Sequence, residues 1–488
     1  MIGQKSERLS SKRRQLVKRS IGKVSQLTCS DILKATGGSL LHGDREASFP
    51  GLSTDSRTLQ KGDIFIALRG EQFDGHAFVQ KALKQGAAGA IVQKEDLASC
   101  EADAFTSKLL IAVPETLRAL GDIARYWRDR FSLPVIGVTG SNGKTTTKEL
   151  IAFLLGERFR ILKNPGNFNN LVGLPLTLLD LDLLHQVAVV EMGTNRPGEI
   201  KRLTEIARPT VGLITNIGEA HLEGMGSLQT LVAEKGELFR TIGEEGILAV
   251  NQNDPHVSSL ARDCPAKKIG FGIERKADVM IDRIQERGVK GTRFRLTIGT
   301  QQVSVDFPVM GGQFIQNVAA AVAVASLFDM SADDIKRRLR RFKPLPMRME
   351  IISLRGVTFI NDAYNANPPS VEMALRALSD GSGKARAFVV FGDMLELGGI
   401  SQTAHQAVGR LIAKLNIAGV FLLGDHAPDV AGAAVETGMS PRNVWMVQRH
   451  QEIADLLKDL VRPGDWILVK GSRRMRMETV IEIFEGEA

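Results

Sequence analysis

Eleven residues, Gly137-Val-Thr-Gly140-Ser141-Asn142-Gly143-Lys144-Thr145-Thr146-Thr147, hold the densest chemistry in this 488-residue chain. An apolar run, Leu133-Pro-Val-Ile136, precedes them, and a helix-like run, Lys148 to Leu155, follows. A strand, a glycine-rich turn and a helix in that order make an anion site. Glycines let backbone N–H groups close on phosphate oxygens, and the helix N-terminus adds partial positive charge. Lys144 would reach the terminal phosphates of a nucleotide, and the Thr145 hydroxyl would ligate magnesium. The usual Gly-x-x-x-x-Gly-Lys-Thr spacing is missed by one position. Val138 stands where the first glycine belongs, and Gly137 lies one step early.

A second group of polar residues sits at the ends of apolar runs. Val187-Ala-Val-Val ends in Glu191, and Val211-Gly-Leu-Ile-Thr ends in Asn216, with His221 close behind. In open α/β sheets, ligands bind outside the carboxyl ends of strands, so these are site positions. A carboxylate and a histidine there could hold magnesium beside a γ-phosphate. Taken alone, His221 is more often a structural residue. Lys235, within Glu234-Lys-Gly-Glu-Leu-Phe239, reads alone as a solvated helix lysine.

The elements that must position these residues are α/β in pattern. The length suggests about three domains at roughly 150 residues each. Residues 25–113 read as a small α/β unit, with strands at 63–68 and 87–92 and a helix over 76–85. Residues 114–345 alternate strands and helices around the phosphate loop, and their apolar runs suit a parallel sheet covered on both faces. Phe342-Lys-Pro-Leu-Pro346 reads as a hinge stiffened by two prolines. Residues 346–488 form a third α/β unit, with strands at 357–361, 387–391, 419–423 and 465–470.

Charge and cysteine use narrow the function classes. The net charge of +8 is concentrated in residues 1–24, which contribute +7 and leave +1 for the rest. The body therefore has no electrostatic footprint for nucleic acid. The basic tail reads as a solvated, poorly ordered extension that could touch acidic lipid or RNA weakly. No run of apolar residues is long enough to span a membrane. Cys29, Cys100 and Cys264 lack metal or redox spacing and suit a reduced, cytoplasmic protein.

Taken together, Gly140-Ser-Asn-Gly-Lys-Thr-Thr146, Glu191-Met-Gly, Asn216-Ile-Gly-Glu-Ala-His221-Leu-Glu-Gly and Glu234-Lys-Gly-Glu-Leu-Phe239 resemble the Mur ligases. These are ATP-dependent amide ligases of peptidoglycan precursor synthesis. The likeness extends to Ser53-Thr-Asp-Ser-Arg57, Phe73-Asp-Gly-His76, Asn361-Asp-Ala-Tyr-Asn-Ala-Asn-Pro368 and Leu468-Val-Lys-Gly-Ser-Arg473 with Met477-Glu478. It covers residues 27–485. The resemblance implies a three-domain architecture: a UDP-sugar-binding domain, a central P-loop-type ATPase domain and a Rossmann-like C-terminal domain. It implies ATP and Mg2+ as cofactors and a cytoplasmic monomer. By the same resemblance Gly140, Ser141, Asn142, Gly143, Lys144, Thr145 and Thr146 bind the ATP phosphates. Asn317 contacts adenine, Asp362 the ribose, and Arg348 the phosphates. Thr145, Glu191, His221 and a carbamylated Lys235 hold metal, and Lys144, Lys235 and His221 serve catalysis. Ser53, Thr54, Asp55, Ser56 and Arg57 bind the UDP-sugar.

Within the family, the asparagine-rich strings are most similar to those of the member that joins D-alanyl-D-alanine to UDP-N-acetylmuramoyl-tripeptide. They are Asn361 to Pro368 and Gly166-Asn-Phe-Asn-Asn170. The Asp-Asn-Pro-Arg string usual in the tripeptide-forming ligase does not occur. One departure stands out. Gln313 occupies the place, four residues before Asn317, where the family often has histidine. Glutamine still offers hydrogen bonds to an adenine.

Overall fold

The structure is a computed structural model that describes residues 26–70, 73–99, 108–218 and 225–486. Three larger sheets follow one another along the chain, beside a two-stranded antiparallel ladder of Leu27–Thr28 with Ser48–Phe49. The first has five strands in the order Ser39–His42, Leu109–Val113, Gly89–Gln93, Ile64–Ile66, Leu52–Ser53. All neighbours are parallel except the edge strand Ser39–His42. The helix expected over 76–85 is divided into a 3₁₀ turn, Gly75–Phe78, and an α-helix, Val79–Lys84. The cause is local. Asp74 caps the first turn by accepting from the His76 N–H, and the buried His76 ring accepts from the Gln93 N–H.

Helix Thr116–Arg128 joins the first sheet to the second. Ala119, Leu120 and Ile123 pack into the first core, whereas Ala124 packs into the second. Such a strongly amphipathic helix with two buried sides leaves little freedom between the units it touches.

The second sheet has nine strands: Gln301–Phe307, Thr292–Ile298, Val279–Glu286, Lys267–Ile273, Ile247–Asn251, Val211–Ile214, Val135–Thr139, Val187–Glu191, Ile161–Lys163. Every residue of Val135–Thr139, Val187–Glu191 and Val211–Ile214 is buried, as parallel strands covered on both faces require. The expected alternation of strand and helix stops at residue 279. There the sheet continues as an antiparallel meander, Val279–Glu286, Thr292–Ile298 and Gln301–Phe307. The physical reason is a change of period. Thr292, Phe294 and Leu296 are buried, while Arg293 and Arg295 point out to pair with Asp306 and Asp282. A one-sided pattern of period two suits a sheet with one solvated face. Helices Gln313–Ser326 and Ala332–Leu339 contribute to the same apolar core as those strands.

The third sheet has six strands: Glu350–Leu354, Val357–Asp362, Trp466–Lys470, Ala387–Gly392, Gly419–Leu423, Val444–Val447. The four strands expected from sequence are present. The antiparallel edge Glu350–Leu354 and the half-exposed edge Val444–Val447 are additions. Among the described residues no helix is long and apolar enough to cross a membrane.

Candidate functional site: a phosphate loop facing the C-terminal domain

Strand Val135–Thr139 runs into the loop 140–143 and then into helix Lys144–Leu155. Two glycines are required by geometry. Gly140 has φ +144°, and a Cβ on it would lie 1.9 Å from Thr215 Oγ1. Gly143 has φ +79°, and a Cβ on it would lie 2.2 Å from Asn317 Oδ1. Adjacent strand ends hold the loop. Ser141 N donates to Asn216 O at 2.9 Å, and Asn142 N donates to Asn216 Oδ1 at 2.9 Å. The Thr215 hydroxyl donates to Asn142 O at 2.6 Å. The missing first glycine thus has no structural cost: Val138 is an ordinary buried strand residue.

Two amines meet one carbonyl beneath this loop. Lys144 Nζ donates to Gly140 O at 2.9 Å, and Lys235 Nζ donates to the same oxygen at 3.0 Å. Lys235 is 1% exposed and lies under the loop, not on a solvated helix face. Burial, and then the Lys144 charge, push its amine well below the ordinary lysine range. Burial also lowers Lys144, against the raising influence of Glu191. Two lysines on one acceptor cannot both stay charged cheaply, and burial disfavours the charged form most at the deeper one, Lys235.

Glu191 ends its strand 2% exposed. Asn169 Nδ2 donates to its Oε1 at 2.8 Å, and Asn164 brackets its backbone, accepting from the N–H and donating to the carbonyl. Lys148, fully buried, donates to Asn164 O at 2.6 Å and lies 4.0 Å from Glu191 Oε2. That Oε2 atom is buried and has no hydrogen-bond partner among the described residues. A buried, oriented carboxylate oxygen with nothing to accept suits a hard cation with oxygen ligands. Thr145, at the start of the helix, shares its cavity. His221 lies outside the described residues.

The cavity measures about 740 Å³ and has two walls. One is the phosphate loop with Glu191, Asn216 and Asn317. The other comes from the C-terminal domain. Arg348 stacks over the Tyr364 ring at 4.1 Å. Asp362 Oδ1 accepts from Met349 N at 3.1 Å, and Oδ2 pairs with the buried Lys470. The walls touch directly, because Asn367 Nδ2 donates to Asn142 Oδ1 at 2.7 Å. Asn367 can hold that position because it also caps helix Pro368–Ser382 through a reciprocal bond with Ser370. Met347 and Met349, flanking Arg348, have φ of +58° and +52°. Left-handed backbone at two non-glycine residues is retained only where surrounding contacts enforce it.

The structure therefore brings Ser141, Asn142, Gly143, Lys144, Thr145, Thr146, Glu191, Asn317, Arg348 and Asp362 to one cavity. Lys235 stands behind it. Ser53, Thr54, Asp55, Ser56 and Arg57 do not line it. They form a turn after strand Leu52–Ser53 in which Arg57 Nη2 meets Asp55 Oδ2 at 2.7 Å. That contact holds the Asp55 carboxyl down to about 2. Asn164, Asn169, Lys148, Lys470 and Asn367 were not singled out from sequence. Asn169, Asn367 and Lys470 lie within the motifs Gly166–Asn170, Asn361–Pro368 and Leu468–Arg473, and that clustering is the signal that could have found them.

Family models match three stretches of the chain. They are the Mur ligase family catalytic domain over residues 48–128, the Mur ligase middle domain over 138–325, and the Mur ligase glutamate ligase domain over 347–473. A Bacillus subtilis protein named UDP-N-acetylmuramoyl-tripeptide–D-alanyl-D-alanine ligase is 35% identical, covering 93% of this chain and 97% of its own. The Escherichia coli protein of the same name is 33% identical over 94% and 98%. A crystal structure of MurF from Acinetobacter baumannii superposes with a TM-score of 0.84 at 31% identity, covering 95% of this chain and 99% of that one. MurF from Thermotoga maritima in complex with ADP gives 0.78 at 29% identity, over 89% and 97%.

Proposed function

We propose that this chain, which belongs to the Mur ligase family, is an ATP-dependent ligase joining D-alanyl-D-alanine to UDP-N-acetylmuramoyl-tripeptide. The products are UDP-N-acetylmuramoyl-pentapeptide, ADP and phosphate. The observation that carries this reading is the meeting of Asn142 and Asn367 over one cavity. A phosphate site on one domain and a candidate ribose residue, Asp362, on the next enclose space for a nucleotide and a reacting carboxylate.

The chemistry runs in two steps. An oxygen of the tripeptide's terminal carboxylate attacks the γ-phosphorus, and the bond to ADP breaks. The dipeptide amine then attacks the acyl carbon, loses a proton, and phosphate leaves with the former carboxylate oxygen. Loop N–H groups and Lys144 offset the charge gathering on the transferring phosphoryl group. Arg348, held flat on Tyr364, adds a second cation from the opposite wall. Closing the two walls over bound substrates would exclude water that would hydrolyse the acyl phosphate.

Glu191 Oε2 and the Thr145 hydroxyl are the residues that would hold magnesium, with His221 as a further ligand. Bound there, magnesium would supply Lewis-acid charge to the phosphoryl oxygens. Lys235, whose amine burial pushes towards the uncharged form, is suited to add carbon dioxide: the nitrogen–carbon bond forms, a proton leaves to solvent, and an anion replaces the amine. Ser53, Thr54, Asp55, Ser56 and Arg57 hold the UDP-sugar on the first domain, where Asp55 keeps Arg57 oriented while leaving it exposed.

A phosphate-release assay tests the reading. Release should require ATP, UDP-N-acetylmuramoyl-tripeptide and D-alanyl-D-alanine together, one phosphate per amide formed. Release that ignores the dipeptide would contradict it. Lys235→Ala should lose activity that short-chain carboxylates partly restore. Full activity of that variant in bicarbonate-free buffer would exclude the carbamate.

A further inference from the structure

The cavity wall facing the phosphate loop carries a motif that phosphate chemistry leaves unused. Strand Trp466–Lys470 continues through Gly471 and Ser472 into the turn Arg473–Met475, and Glu478 follows. Arg473 lines the cavity, with its side chain 47% exposed. One of its nitrogens is held. Nη1 donates to Glu478 Oε1 at 2.6 Å and lies 3.7 Å from Met347 Sδ. Nε and Nη2 make no hydrogen bond or ion pair among the described residues. Glu478 is itself 12% exposed and fixed at the start of helix Thr479–Glu485. An arginine clamped at one nitrogen keeps the Nε–Nη2 edge free, which is the fork that binds a carboxylate through two parallel bonds.

Among the other cations of the cavity, Lys144 bonds two loop carbonyls, Lys470 pairs with Asp362, and Arg348, stacked on Tyr364, is the cation given above to the phosphoryl group. Arg474, next in sequence, also lines the cavity, but it is exposed and nothing among the described residues orients it.

We infer that the free edge of Arg473, oriented by Glu478, binds the terminal carboxylate of the incoming dipeptide. This rests on the ligase reading above. The dipeptide amine must reach the acyl carbon beside the phosphate loop. An extended dipeptide places its carboxylate about 7 Å further on. Repulsion from the phosphates directs that charge away from the loop, towards the wall that carries Arg473. The tripeptide's reacting carboxylate is needed at the γ-phosphate and cannot occupy the same position. Arg473 is then a specificity residue for a free carboxyl end, and Glu478 a positioning residue acting through it.

The test compares D-alanyl-D-alanine with its C-terminal amide in the full-length enzyme. Arg473→Ala should raise KM for the dipeptide by about 10- to 100-fold, the worth of a charged hydrogen-bond pair. Its effect on the amide should stay within about threefold, and KM for ATP and for the UDP-tripeptide within about twofold. Arg473→Lys should fall between, because it keeps the charge and loses the fork. Glu478→Gln should raise dipeptide KM in the wild-type background and add nothing to Arg473→Ala, a non-additivity that a purely structural role would not give. Arg474→Ala serves as the neighbouring control and should shift dipeptide KM by less than about threefold. Equal losses on dipeptide and amide, a rise in tripeptide KM instead, or an effect that belongs to Arg474 would overturn the inference. A wild-type enzyme that forms no amide from the dipeptide would overturn the ligase reading, and this inference with it.

Discussion

Replacing Gly143 by alanine separates backbone strain from loss of the site. Gly143 has φ +79°, with Asn317 Oδ1 2.2 Å from any added Cβ. Gly299 turns the chain between strands Thr292–Ile298 and Gln301–Phe307 at φ +58°, with nothing within 4 Å. Both alanines carry the left-handed penalty, about 1–2 kcal/mol. Only Gly143→Ala must also push Asn317 aside. That breaks the buried bond from Thr147 Oγ1 to Asn317 Oδ1, 3.3 Å long, and leaves a hydroxyl unpaired. An unpaired buried group adds about 1–3 kcal/mol. The expected losses in urea denaturation, at unchanged m-value, are therefore about 2–5 kcal/mol for Gly143→Ala and about 1–2 for Gly299→Ala. Calorimetric titration with a non-hydrolysable ATP analogue gives a second reading. Gly143→Ala should weaken binding by about tenfold or more, since it displaces a cavity residue, and Gly299→Ala should not. Equal destabilisation by the two alanines, or normal nucleotide affinity in folded Gly143→Ala, would refute the steric argument.

Three further outcomes are expected. Lys144→Ala should lower kcat by about 10²-fold or more in steady-state assays, because its ammonium acts mainly as the phosphoryl group transfers; near-normal turnover in a folded variant would remove that role. Burial holds the Lys235 amine well below the ordinary lysine range in the fold, so between its folded value and the ordinary one the unfolded chain binds more protons. Its contribution to stability should rise with pH until the ordinary lysine value near about 10.4. Lys235→Met should flatten that rise in denaturation series run without carbon dioxide, and an unchanged slope would mean that the amine is charged in the fold. Deleting residues 1–24 should leave kcat and both substrate KM values within about twofold, a shift below roughly 0.5 kcal/mol, and a large loss would place the tail inside the ligase.

The phosphate loop and Glu191 were legible because a strand, a glycine turn and a strand end are local in sequence, whereas Asn317, Arg348 and Asp362 came only through the family resemblance; all reach the cavity. What sequence could not give depended on distant partners. Lys235 looked solvated because helix position alone says nothing about Gly140 O, which is 95 residues away. Lys470 and Asp362 are 108 residues apart and pair only because their strands are neighbours in register. The meander after residue 279 was missed for another reason: its alternating Arg293-Phe294-Arg295-Leu296 pattern is visible, yet the parallel pattern before it was extended too far. Ser53–Arg57 was placed on the first domain by the family resemblance, and in the structure it forms a turn there that does not line the central cavity.

Oxygen transfer tests the central claim most directly. UDP-N-acetylmuramoyl-tripeptide labelled with ¹⁸O in its terminal carboxylate is incubated with ATP, magnesium, D-alanyl-D-alanine and the enzyme, and phosphate and nucleotide-peptide are analysed by mass spectrometry. The expected result is one ¹⁸O atom per released phosphate, appearing in step with the pentapeptide product. Phosphate free of label, with pentapeptide still formed, would contradict attack of that carboxylate on the γ-phosphorus and with it the role given to this cavity.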